Sequence, residues 1–499
     1  MAAKACFCSE GVLRIASIAA GIDVRLMVSI DLANENRLHH RRRRSAAVRG
    51  LFGAARSGAR AVTENPGMHS PKQSQINVAA MLIKARILRR TLPPGDLARL
   101  DEIERGDRTA LIDRGARLGP IFKGLMEDRL AIFVLGAARG RALLREQAAA
   151  LRPVSIKVDT LFPKGFMRQM DGATHRAYRG DLVRALASVD MTAWTPTLQG
   201  VVEAGLAAHA RAAPSGPQSD LSEGRRWSEA LSRIATGLLI SLVFGVGPED
   251  PAHDRLARGF RALGPHGVVW TIGDAQIQAF ARLRQEASSL GPSRIAPGVM
   301  QALAARGPVD ATMLGNLIYM VEQGRYDLRG LLRWISVYGA REAQWLARIA
   351  DARDPGAGSS AQAFVQEVLR LEQSERLMRT VLRGFDLEGF HIPKGALLRI
   401  CMWENHKDGT VFDRPFAFDP SRFMKGDPGG DRFSPFGLDH HHCPFASATM
   451  KLAALFAQTL ASGYRLEAVG STAPVRGPYH WEPSPDFAPR LARVDPIAR

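Results

Sequence analysis

Cysteine is scarce in this chain: four residues in 499, at Cys6, Cys8, Cys401 and Cys443. So few, so unevenly placed, exclude a disulfide framework and point to a reducing cytoplasm. There is no G-x-G-x-x-G stretch, so no flavin or nucleotide module is recognisable. Long apolar runs are missing as well. The N-terminal stretch "GVLRIASIAAGIDVRLMVSI" is broken by Arg14, Asp23 and Arg25, which leaves it short of a membrane span and unlike a signal peptide. Negative charge is in short supply: 49 Asp and Glu against 67 Lys and Arg give a net +18. Part of that excess is local, since residues 1–65 hold 11 Lys and Arg against 5 Asp and Glu. The remainder suits an acidic protein partner or an anionic surface. Zinc-finger spacing and aromatic-interleaved basic helices are absent, so nucleic acid is not an expected partner.

What is present is globular in balance, with 46% hydrophobic and 23% charged residues. Residues 1–77 read as a basic, poorly ordered leader ending near "TENPGMHSP", and residues 78–499 as one domain. Segment 119–146 combines a β-type apolar run with an Ala/Leu/Arg helix. A long helix starts after Asp310, its expected N-cap, and another covers "AQAFVQEVLRLEQ". Alternating strands follow, then a Pro/Phe/Asp-rich irregular passage over 406–436, then Cys443 and an apolar helix. The pattern is mostly α with a small segregated sheet, an α+β class. An irregular passage of that length inside a compact domain is usually functional.

The passage ends in "PFGLDHHHCPFA", residues 435–446. Zinc is disfavoured there, because consecutive residues cannot converge on one small ion and no second Cys or His pair lies nearby. A solvated histidine loop is the plain alternative. A Pro-Phe-Gly approach, a Cys-Pro step and then a long helix give a third reading, a presented thiolate stabilised by a helix N-terminus.

The surrounding motifs select that third reading. The stretch resembles the cysteine loop of the cytochrome P450 family, P-F-G-G-G-P-H-R-C-P-G-A, keeping Pro435, Phe436, Gly437, His441, Cys443, Pro444 and Ala446. Leu438 and Asp439 stand where that loop has glycines, and Phe445 replaces another. Upstream, Glu367 and Arg370 resemble the family's E-x-x-R pair, and "PSRF" supplies the completing Arg422. Arg379 and the following "VLRGFDLEGFHIPKG", and His175 with Arg179 in "DGATHRAYRGDL", fit the same order. The likeness spans roughly residues 80–495. It implies a bacterial-type, soluble haem-thiolate protein with Cys443 as the axial ligand of haem b. It implies propionate contacts from His175, Arg179, Arg379 and His441. His406 and Asp408 are read as structural.

The long helix departs from the family. Where A-G-x-D/E-T is usual, this chain has Gln323, Gly324, Arg325, Tyr326 and Asp327. Gly324 would give room for a ligand, and Asp327 or Glu322 would supply protons as general acids. A local Asp327–Arg325 ion pair is the bland alternative, and loss of oxygen activation a third. The implied activity is monooxygenation of an apolar small molecule, with electrons from ferredoxin and ferredoxin reductase-type partners. A peroxide-driven or isomerase-type enzyme, or a non-catalytic haem-binding protein, are the rivals.

Overall fold

The long helix after Asp310 organises everything else. It runs Ala311–Arg341, and the Asp310 side chain caps it by accepting from the Met313 N–H at 2.7 Å. Nearly its whole circumference is buried, as an apolar helix surrounded by other helices must be. Its main neighbour is the helix Asp220–Phe244, and Trp194, Trp227 and Trp334 lie in the core that the two share with the helices around them. By length and composition Asp220–Phe244 contains the one described stretch apolar enough to cross a membrane, and most of that stretch is buried within this core. The computed structural model describes residues 71–499 apart from 155–160, 162–164, 171, 212–219, 265–271, 352–358, 373–375, 427, 431, 440–441, 478–479 and 495–499. The first described helix, Pro71–Ile87, runs across the expected leader boundary at 77.

The sheet is small and set apart from the helices, with five strands in the spatial order Ile121–Met126, Arg129–Val134, Leu397–Cys401, Arg376–Val381, Leu151–Pro153. The apolar run read at 121–134 is a hairpin. Glu127 and Asp128 turn it with φ of 51° and 58°, as a two-residue turn with right-handed twist requires. Arg129–Val134 pairs in parallel with Leu397–Cys401, and the other pairings are antiparallel. Arg379 thereby sits opposite Leu398 on one side and Pro153 on the other. The mostly helical plan with a small sheet is the one the sequence implied.

The irregular passage before Cys443 is held by buried ions. Arg370 on the helix Ser360–Glu372 grips Glu367 at 2.7 and 2.8 Å. It also donates to the carbonyls of His406, Pro415 and Ala417. Arg422 reaches Glu367 at 3.5 Å, and the Asp419 N–H donates to the same carboxylate. Neutral His406 accepts from the Ser434 N–H at 3.0 Å, at the start of the Pro-Phe-Gly turn. Burial holds its pKa well below the usual range, consistent with an acceptor. An irregular loop cannot satisfy its own backbone, so these side chains do it instead.

Candidate functional site

The cysteine loop closes on itself by a bond from the Cys443 N–H to the Phe436 carbonyl at 2.9 Å. Its departures from the family loop have local reasons. Leu438 is fully buried in a small cluster with Leu144, Ile400 and Met402, which ties the loop to the sheet. Asp439 holds the loop's left-handed position at φ 57° and pairs with Arg145 at 3.3 Å. Aspartate tolerates that conformation better than most residues. Phe445 packs partly buried against the core at the start of the helix Ala446–Gly463.

Burial pushes the Cys443 thiol up to about 11, against the pull of the Phe445 N–H and of Arg179. The Asp327 charge raises it further. Arg179 donates to the His442 carbonyl at 2.5 Å, which places it beside the loop. His175 is buried one turn earlier on the same helix, Gly172–Ser188. Arg379 is 3% exposed, and its Nη2 has no hydrogen-bond partner. Burial and the neighbouring Arg168 hold its pKa down to about 10. A buried guanidinium with a second cation beside it calls for an anion. His440 and His441 lie outside the described residues.

The central helix presents a partly accessible stripe at Met320, Gln323, Gly324 and Asp327, spaced i, i+3, i+4, i+7. Asp327 is exposed, while the groups packed around it raise its carboxyl pKa by desolvation. Glu322 stands apart from this stripe. It is fully buried and held by Arg325 at 2.7 and 2.8 Å, while Arg325 also donates to the Gly264 carbonyl. The partner of Arg325 is therefore Glu322, and the local pair considered between Arg325 and Asp327 is not formed. Gly324 has a packing reason as well: a Cβ there would meet Leu239 of Asp220–Phe244 at 3.2 Å. Tyr326 donates to Glu482 at 2.6 Å, tying the helix to the hairpin strand Trp481–Pro483.

Two residues without a motif also act on this region electrostatically. Arg168 acts electrostatically on Tyr319, Asp327 and Arg379, and His480 acts on Asp327. No local sequence pattern marks either. His480 lies beside Tyr326, with ring centroids 5.5 Å apart.

The residues fit a haem. Cys443 could ligate its iron, and the orphaned Arg379 nitrogen and Arg179 could hold its carboxylates.

Residues 360–468 match the family model described as Cytochrome P450. Among curated proteins, (S)-N-methylcanadine 1-hydroxylase CYP82Y1 of Papaver somniferum is 29% identical over 139 residues, which is 26% of this chain and 25% of that protein. Cytochrome P450 716A75 of Maesa lanceolata is 36% identical over 102 residues, 20% of this chain and 21% of that protein. The chain thus spans about a quarter of the length of these curated relatives. Among solved structures, a retinoic acid-bound cyanobacterial CYP120A1 superposes with a TM-score of 0.63 at 19% identity. It covers 81% of this chain and 100% of its own. CYP152N1 with myristic acid gives 0.60 at 15% identity, covering 81% and 100%. The segment 360–468, which holds Cys443 and the buried ions of its loop, matches the cytochrome P450 family model, and the fold is the one seen in solved cytochrome P450 structures.

Proposed function

We propose that the protein is a haem-thiolate monooxygenase, with Cys443 as the axial ligand of haem b. When bound, the haem supplies the iron at which dioxygen is activated and from which one oxygen atom enters a C–H bond. The chain's own residues do the rest. Cys443 would hold the iron as a thiolate, and the Phe445 N–H and the Arg179 charge are placed to hold the sulfur's negative charge. Arg379 and Arg179, with His175 one turn earlier on the same helix, would hold the propionate carboxylates. Desolvation raises the pKa of Asp327, which favours its protonated form. That makes it a general acid within reach of the reacting centre.

One observation carries this reading: Arg179 is bonded to the cysteine loop through the His442 carbonyl at 2.5 Å, while the buried Arg379 has an Nη2 with no hydrogen-bond partner. Electrons come from separate ferredoxin and ferredoxin reductase-type proteins in the cytoplasm. The net charge of +18 suits acidic donors. The substrate is a small molecule with a long apolar body. Supporting this, solved neighbours are described with retinoic, myristic and arachidonic acid. A second reading, peroxide-driven or isomerase-type turnover, draws on the central helix having no Ser or Thr between Thr312 and Ser336.

The test is the absorption spectrum of the reduced protein under carbon monoxide, followed by turnover with a ferredoxin system or hydrogen peroxide. The expected band lies at the strongly red-shifted thiolate position. Asp327→Asn keeps that band and loses about 10²-fold or more of donor-driven product formation. A wild-type band at the ordinary histidine-ligated position overturns the proposal. Turnover with peroxide alone selects the second reading.

A further inference from the structure

Asp439 stands where the related cysteine loop has a glycine, so it brings a charge to a position that otherwise has none. The backbone beneath it is fixed on both sides. Leu438 is wholly buried against Leu144, Ile400 and Met402. Gly140 leaves room for that packing, since a Cβ there would meet Ile400 at 2.5 Å. On the other side, the Asp439 carbonyl accepts from the His442 N–H at 2.8 Å, closing the turn that leads to Cys443. The Asp439 side chain is only 16% exposed. Its Oδ1 accepts from Arg145 at 3.3 Å, and its Oδ2 is shut off from solvent.

Between the loop, the sheet and the helix Ala137–Glu146 lies a cavity of about 40 Å³. Among the described residues that line it, Arg379 and Asp439 carry the charges, in a wall otherwise built from apolar residues such as Leu144, Leu151 and Leu438. Charges in such a place are screened far less than those on the open surface. Arg379 is the residue assigned above to a haem carboxylate. With that carboxylate bound, two acids share one buried guanidinium, and Arg145, whose side chain is 61% exposed, offsets them from the solvent side alone.

We propose that Asp439 lowers the reduction potential of the bound haem, and so favours strongly reducing electron donors. An electron added to the iron brings negative charge toward a carboxylate that cannot move away, which disfavours the reduced state. The proposal rests on the haem-thiolate reading and deepens it.

The experiment is a spectroelectrochemical titration of the full haem-loaded protein, with the carbon monoxide spectrum recorded on the same samples. Asparagine tolerates the left-handed backbone as aspartate does, so Asp439→Asn removes the charge and keeps the turn. It should raise the ferrous-to-ferric ratio at a fixed potential roughly threefold or more, about 28 mV for a one-electron couple. Arg145→Gln breaks the same ion pair from its other end and should move the ratio the opposite way, by less because Arg145 is screened by solvent. A merely structural ion pair would move both variants alike. An unchanged or lowered ratio in Asp439→Asn, or both variants moving in one direction, overturns the proposal. A thiolate band with an unchanged ratio defeats this proposal alone. The expected opposite shifts without a thiolate band defeat the haem-thiolate reading and leave Asp439 as a charge beside the haem.

Discussion

Among the described residues, two buried Glu-x-x-Arg pairs share the same local geometry, Glu322–Arg325 and Glu367–Arg370. In each, the guanidinium donates through Nε at 2.7 Å and through Nη2 at 2.8 Å. Both glutamates are wholly buried. What differs is what surrounds them. Glu367 receives a second cation from Arg422 and a backbone N–H from Asp419, while its arginine binds three loop carbonyls. Glu322 has Arg325 alone, and burial pushes its carboxyl up to about 7 despite that partner. The pair is a generic helix feature, and its function comes from what a third segment adds to it.

The largest effect should come from removing the completed carboxylate. Glu367→Ala leaves Arg370 and Arg422 without their acid and should cost about 3–5 kcal/mol, read by denaturant unfolding. A loss below about 1 kcal/mol would make the two pairs equivalent and end the distinction.

The incomplete pair should show itself through pH. Glu322 binds its proton more tightly folded than unfolded, so it favours the fold at low pH and loses that contribution as pH rises from about 4.5 through about 7. Glu322→Gln should flatten this dependence, and the difference from wild type should grow by roughly 2 kcal/mol across the window. Parallel stability curves for the two proteins would refute the contrast.

The smallest effect is expected one turn along. Gly324→Ala gains up to about 1 kcal/mol of helix propensity and must shift Leu239 by a few tenths of an ångström. Net stability should stay within about 1 kcal/mol, and the spectral change on binding substrate should be unaltered. A lost spectral response would return Gly324 to the role of making room for a ligand.

The lock around Arg370 was legible in the sequence because its parts are charged, closely ordered and separated by short spacings. The Asp310 cap, the mostly helical plan and the small sheet were legible for similar reasons, as each follows from a local pattern. Glu322 was not, since a glutamate facing the core and one facing a ligand read alike until the helix has neighbours. The bonds from Met167 to Asn316 and from Tyr326 to Glu482 join segments about 150 residues apart, which no local period encodes. Leu438 and Asp439 looked like departures from a glycine loop. They are local solutions, one filling an apolar niche and the other holding a left-handed turn.

The parallel pairing of Ala131 with Leu397 has a consequence for biosynthesis. The strand Arg129–Val134 leaves the ribosome with the apolar sequence RLAIFV and only its hairpin partner available. At ordinary elongation rates of about 5–20 residues per second, its other edge waits roughly 13–50 s for the strand that covers it. Such a long-range closure makes folding slow and leaves an aggregation-prone edge in the nascent chain. Yield in a heterologous host should therefore respond to slower translation and chaperone supply more than to any change at the catalytic centre.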